Sequence, residues 1–229
     1  LNNGQVCIAP DYALVEESIS EPFITAMKAR LAEMYGDEEA TQLTSVQRSH
    51  IVNDHHFQRV VGLIEDAVAK GAHVAHGGTW DKETRRIAPT ILENVTLDMK
   101  VMQDEIFGPI LPIISYGSLD EAIHYINDRP RPLALYFFGY DKSHQQHVVD
   151  NTHSGGMCIN DALMHVAQDD LPFGGIGDSG MGHYHGKEGF LTFSHHRAIF
   201  TKQKFNSGKY VYAPHGTAAH RLVYKLFIR

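Results

Sequence analysis

A thiol held beside a turn is a candidate nucleophile, and Cys7 closes the segment Asn2-Asn3-Gly4-Gln5-Val6-Cys7, after a glycine-containing turn and ahead of apolar sequence that reads as a strand. Such a setting puts sulfur at a domain edge near backbone N–H groups, which lower a thiol pKa and offer donors to an oxyanion. Position alone does not assign a role, because an ordinary cysteine is most often a small buried hydrophobe. Cys158, inside the apolar run 157–159, fits that plainer description. A second reactive-looking stretch is Asp104-Glu105-Ile106-Phe107-Gly108-Pro109-Ile110-Leu111-Pro112. Its carboxylate, Glu105, suits acceptance from a pair of hydroxyls, and Phe107 offers a ring. Local sequence equally permits a surface glutamate beside a turn and a core phenylalanine.

Two further patterns invite chemistry and are set aside. Gly175-Ile176-Gly177-Asp178-Ser179-Gly180 matches the spacing of a dinucleotide-binding turn, but no strand leads into it and no acidic residue stands about 20 residues on. Its glycines read as sites of tight backbone packing. Sixteen histidines include the neighbours His55-His56, His183 with His185, and His195-His196. Adjacent side chains diverge and no metal-ligand spacing accompanies them, so no metal is expected.

The elements that would position these groups alternate. Residues 6–16 read as a strand, followed by a helix that Ser20-Glu21-Pro22 starts and that carries Phe23, Ile24, Met27 and Leu31. Residues 54–70 place Phe57, Val60, Val61, Ile64 and Val68 on one helical stripe, with Gly71 at the C-cap position. Strands are expected at 72–75, 87–92 and 110–115, and a helix at 119–127 capped by Ser118. The run 133–139 reads as a strand buried on both faces, 142–151 as a helix and 156–160 as a buried strand. This order predicts an α/β fold with an open, largely parallel sheet and flanking helices over 1–197. A C-terminal appendage follows over 198–229, in which 198–205 alternates like an edge strand.

With 229 residues and 43% apolar side chains, the chain can bury one substantial core. A net charge of −7 without a basic run argues against nucleic acid and anionic membranes as partners. Two cysteines make no disulfide framework and fit a reducing, cytoplasmic setting. No window approaches the roughly 18 apolar residues of a membrane span. The opening on Leu1, straight into Asn2-Asn3-Gly4, reads as a piece of a longer protein.

Three segments together resemble aldehyde dehydrogenases. Asn2-Asn3-Gly4-Gln5-Val6-Cys7-Ile8-Ala9-Pro10-Asp11-Tyr12 is similar to the family's cysteine motif. The Glu105-Ile106-Phe107-Gly108-Pro109 stretch resembles a second motif, and Leu171-Pro172-Phe173-Gly174-Gly175 through Ser179-Gly180-Met181-Gly182 resembles the late glycine-rich segment. Their order matches, and the resemblance runs from Leu1 to about Lys204. The stretches 127–136 and 182–187 look like the class-three branch, and the ending looks most similar to bacterial coniferyl aldehyde dehydrogenases.

The resemblance implies Cys7 as nucleophile, Glu105 on the nicotinamide ribose hydroxyls, and Phe107 beside the nicotinamide, with NAD or NADP as cofactor. It implies an aldehyde substrate, aromatic or aliphatic, and a homodimer joined through the strand after the catalytic domain. The dinucleotide-binding domain, a general-base glutamate and an oxyanion asparagine are expected upstream of Leu1, leaving this piece alone with little turnover. Tyr184, His185 and Phe190 lie where an apolar aldehyde could sit, and equally read as core residues. Two other readings stay open at this stage: a cysteine hydrolase or acyltransferase using a histidine, and a non-catalytic scaffold.

Overall fold

The computed structural model describes residues 1–36, 48–205, 208 and 212–227, which divide into two compact units, Leu1–Thr192 and Phe193–Arg229. The first unit runs β1 (Ala13–Glu16), α1 (Ser20–Tyr35), α2 (Asp54–Ala69), β2 (His73–His76), β3 (Trp80–Asp81), β4 (Arg86–Ile87), β5 (Thr90–Glu93), β6 (Ile110–Tyr116), α3 (Leu119–Asn127), β7 (Ala134–Phe137), α4 (Lys142–Asn151), β8 (Gly156–Ile159) and α5 (Gly186–Thr192).

β6 is the axis of the main sheet, whose order is β1-β6-β5-β2. Both of its neighbours are parallel to it, with Ala13 opposite Ile113 and Thr90 opposite Ile110, while β2 is antiparallel to β5. Alternate side chains serve opposite faces. Leu92 and Ile110 join Phe57, Val60, Leu63, Ile64 and Ala67 of α2 in one core. Ile91 and Ile113 join Val15 and Ile24, with Phe23, Met27 and Leu31 of α1 packed alongside. Each large aliphatic side chain removed from water in this way stabilises the fold by about 1.5–3 kcal/mol. The sheet is therefore covered by a helix on each face, the open and largely parallel α/β arrangement that the alternating pattern predicts.

Helix ends follow local chemistry. The Ser118 hydroxyl accepts from the Glu121 N–H and starts α3; Asn53 does the same for α2 through His56 N–H. Gly71 follows α2 at φ +99°, a conformation open to glycine without steric cost.

Four expected elements form differently. Only Ala13–Glu16 of 6–16 pairs, because Val6–Ala9 closes a turn and Pro10 has no N–H to offer a ladder. The expected strand 87–92 is split into β4 and β5 around Pro89 for the same reason. β7 is not buried on both faces. Among the described residues it pairs, in parallel, with β8 alone, so Leu135, Phe137 and Met157 turn toward Ile123 and Val148 of α3 and α4, while Tyr136 and Cys158 face the other way.

The fourth lies in the second unit, where residues 198–205 form no strand ladder. An extended segment becomes a strand only against an edge that bonds its backbone, and this segment meets none among the described residues. Among its described residues the second unit carries the helix α6 (Ala218–Phe227), whose start is capped by the Thr217 hydroxyl accepting from His220 N–H. The tail residues Ile228 and Arg229 lie outside the described residues. No described helix is long and apolar enough to cross a membrane.

Candidate active site

The segment leading to Cys7 winds left-handed. Asn2, Asn3 and Gly4 have φ of 44°, 56° and 78°. Asparagine and glycine are the residues that visit this region most readily, so Asn-Asn-Gly is the sequence that permits three such residues in a row. The Gln5 side chain then staples the turn to the stretch before α2: it donates to His50 O at 3.1 Å and accepts from Val52 N–H at 3.0 Å. Arg48 reaches both Asn3 Oδ1 and Ile87 O at 2.5 Å. Burial pulls that guanidinium down to about 10, which still leaves it charged at neutral pH.

Cys7 and Ile8 form the corner of the next turn, closed by Ala9 N–H donating to Val6 O at 2.9 Å. Ile8 is 4% exposed and anchors the turn, while Cys7 beside it is exposed. An exposed sulfur on an anchored corner is accessible to a carbonyl carbon without further opening of the fold.

The loop bearing Glu105 and Phe107 packs directly on this turn. A Cβ on Gly4 would stand 2.2 Å from Gly108 O, and one on Gly108 would stand 2.8 Å from Val60 of α2. Gly108 is thus pressed between the thiol-bearing turn and the core helix. Arg59 of α2 donates to Glu105 O at 2.9 Å and to Ile106 O at 2.6 Å, and Asp11 accepts from Ile106 N–H at 2.9 Å. Ile106 is buried at 1% and fixes the loop from below. Glu105 is exposed and Phe107 is 38% exposed at φ +45°, a strained backbone for an aromatic residue. Burial raises the Asp11 carboxyl, as does the nearby Glu105, against the lowering effect of the Ile106 N–H.

The glycine-rich segment sits on the β7–β8 sheet. A Cβ on Gly155 would stand 2.2 Å from Gly174 O, one on Gly174 would stand 2.1 Å from Gly182 O, and Phe173 pairs with Tyr184 through two backbone hydrogen bonds of 2.9 Å. Gly175 through Gly180 is a loop with one short turn at Gly177–Ser179, in which Gly175 packs closely, its Cβ position 2.1 Å from Ser179 O, whereas Gly177 has open space around it and supplies φ +65°. Tyr184 and Phe190 are exposed, 48% and 72%, and the ring of His185 lies edge-on to Tyr184 at 4.4 Å. Cys158 is buried, with its sulfur 3.2 Å from His165 Nδ1.

The Cys7 turn and the Glu105–Phe107 loop are therefore brought together; His183 meets Glu188 at 3.9 Å, and His55 lies edge-on to His56. Three supporting residues were not singled out by sequence. Asp11 is a carboxylate set in apolar sequence, Arg59 a half-buried cation beside the apolar stripe of α2, and Tyr136 a hydroxyl within an apolar strand. A polar group in such a place needs a partner, and that need is the signal that could have found them.

Fold and site together define an α/β domain that presents one exposed thiol beside a braced, carboxylate-bearing loop. The chain belongs to the aldehyde dehydrogenase family, whose model matches residues 1–199. It is 49% identical over 233 residues to a probable coniferyl aldehyde dehydrogenase of Pseudomonas aeruginosa, covering 100% of this chain and 47% of that protein. It is 48% identical over 206 residues to the dimeric NADP-preferring aldehyde dehydrogenase of Rattus norvegicus, covering 90% of this chain and 44% of that protein. A substrate-bound structure of Staphylococcus aureus AldH superposes with a TM-score of 0.81 at 46% identity, over 90% of this chain and 44% of that one. The chain thus spans about half the length of these three relatives.

Proposed function

We propose that the protein containing this chain oxidises an aldehyde to its carboxylic acid, with Cys7 as the nucleophile and NAD or NADP as cofactor. The observation that carries this reading is the exposed Cys7 thiol on a turn packed, through Gly4 and Gly108, against the loop of Glu105 and Phe107. The donor set fits a nicotinamide nucleotide. An exposed carboxylate accepts from ribose hydroxyls, and a partly exposed ring on the same loop offers a face beside the nicotinamide. When bound, that cofactor supplies the hydride acceptor.

The chain's own part begins when Cys7 gives up its proton and the thiolate attacks the carbonyl carbon. A C–S bond forms, and the carbonyl becomes an oxyanion that a backbone N–H group beside Cys7 can stabilise. Collapse of this thiohemiacetal restores the carbonyl with loss of hydride and leaves a thioester on Cys7. Water cleaves the thioester, releasing the acid and returning the thiol. The water-activating glutamate, an oxyanion asparagine and the dinucleotide-binding domain are assigned to sequence upstream of Leu1, in keeping with the partial coverage of the relatives. In this reading 1–197 is the thiol-bearing domain, and 198–229 is a bridging strand and tail through which a homodimer forms. The substrate class follows the Pseudomonas relative: an aromatic aldehyde of the coniferyl type.

The test labels the 229-residue chain with iodoacetamide near neutral pH and locates the label by mass spectrometry. In parallel, NADH or NADPH formation is followed with coniferyl aldehyde in the full-length protein and its Cys7→Ala variant. Labelling confined to Cys7, with cofactor reduction that Cys7→Ala abolishes, is the expected result. Reduction that persists in Cys7→Ala overturns the assignment.

A further inference from the structure

Tyr136 occupies the face of the β7–β8 sheet that turns away from α3 and α4, and its ring is held rather than free. It lies edge-on to His165 with ring centroids 6.0 Å apart. His165 is itself buried at 7%, seated over Gly156, where a Cβ would stand 2.6 Å from its ring, and bonded to the Cys158 sulfur. From that fixed position the Tyr136 hydroxyl donates to Ile8 O at 2.6 Å, across 128 residues of sequence. Leu163 has φ +67° and Asn160 φ +59°, so the loop leaving β8 is strained.

Ile8 is the residue next to Cys7 in the same turn. Its side chain is anchored in the core, but a turn can still rotate its peptide planes about that anchor. The carbonyl bond to Tyr136 removes this freedom, because it fixes the plane between Ile8 and Ala9 and so the direction in which the corner presents its thiol. We propose that Tyr136 is a positioning residue for the Cys7 nucleophile, acting through the Ile8 carbonyl and tying the thiol-bearing turn to the β7–β8 sheet. The proposal rests on the reading of Cys7 as nucleophile. Burial pushes the phenol up to about 12, so the hydroxyl stays protonated and able to donate across the range in which a thiol titrates. Tyr136 touches no reacting atom in this account.

The test compares Tyr136→Phe with Ile8→Val in the full-length protein. The first keeps the ring and removes the hydroxyl; the second trims the turn's anchor and keeps the carbonyl bond. The readouts are the Cys7 alkylation rate at one fixed pH, amide exchange at Ala9, and kcat against cofactor KM. Tyr136→Phe is expected to change the Cys7 alkylation rate by about threefold to tenfold, the factor one hydrogen bond supplies. Exchange at Ala9 should rise, while kcat falls with cofactor KM unchanged. Ile8→Val should leave the alkylation rate in place. An unchanged Cys7 alkylation rate in Tyr136→Phe, or the same change in both variants, overturns the positioning role. If Cys7→Ala leaves turnover intact, the nucleophile assignment itself has failed, a result distinguishable from either of these.

Discussion

Gly4 and Gly108 touch backbone to backbone: a side-chain carbon on Gly4 would be 2.2 Å from the Gly108 carbonyl oxygen, and Gly4 also holds φ +78°. Gly4→Ala therefore meets two costs, about 1–2 kcal/mol for a Cβ in the left-handed region and about 1–3 kcal/mol for overpacking. Urea unfolding should report a loss in that combined range. A loss below about 1 kcal/mol would mean that the two loops separate at little cost and that their contact does not organise the site.

Arg59 contributes two N–H donors to consecutive carbonyls, those of Glu105 and Ile106. Arg59→Met keeps much of the apolar stem and removes both donors, with an expected stability loss of about 1 kcal/mol. In the full-length protein the cofactor KM should rise several-fold while the aldehyde KM stays near its original value. Steady-state kinetics with each substrate varied in turn distinguish this from a general loss, which would raise both.

Asp11 has its carboxyl raised above the ordinary 3.8, chiefly by burial. The protonated form is the one the fold favours, so this group's stabilisation is complete below 3.8 and is lost as pH rises through the raised value. Asp11→Asn keeps an oxygen for Ile106 N–H without the charge. It should equal or exceed the original protein in stability near neutral pH, with a flatter dependence as pH rises above 3.8. Asp11→Ala leaves that N–H without its acceptor and should be about 1–3 kcal/mol less stable than Asp11→Asn. Denaturant midpoints across this pH range decide the point; identical slopes for the original and the Asn variant would contradict it.

His165 shows the opposite sign. Burial lowers its pKa from the ordinary 6.5, so the neutral ring is the folded form. Its stabilisation is present above 6.5 and is lost as pH falls through the lowered value. The melting temperature of the original protein should drop relative to His165→Gln as pH falls below 6.5, a gap that calorimetry at half-unit steps would resolve. Parallel curves would show that this ring titrates as it does in water.

The elements best read from sequence were those whose signals are local. Ser118 accepts from a backbone N–H three residues on, Gly71 ends α2 with its own φ, and the stripe of Phe57, Val60 and Ile64 needs only its helical period. What escaped depends on partners distant in the chain. β7 looked buried on both faces because Leu133 through Gly139 is apolar, yet a strand paired only with β8 shows one face to two helices and the other to Tyr136's own network. The split at Pro89 was written in the sequence and was overruled there by the apolar run around it. Cys7 and Glu105 were picked out by motif; that Gly4 and Gly108 bring their loops together, with Asp11 and Arg59 as braces, is visible only once residues about a hundred positions apart are placed side by side.

β1 and β6 pair across one hundred residues, Ala13 against Ile113, whereas β5 reaches β6 across only twenty, Thr90 against Ile110. Closing the longer loop costs more chain entropy, by about 1.4 kcal/mol for a fivefold greater length. The β5–β6 pair and its covering helix can assemble from contacts close in sequence, and the strand that follows Cys7 docks onto an edge already made. The thiol is then among the last groups to reach its place as the chain folds, and its alignment with the Glu105–Phe107 loop waits on that docking.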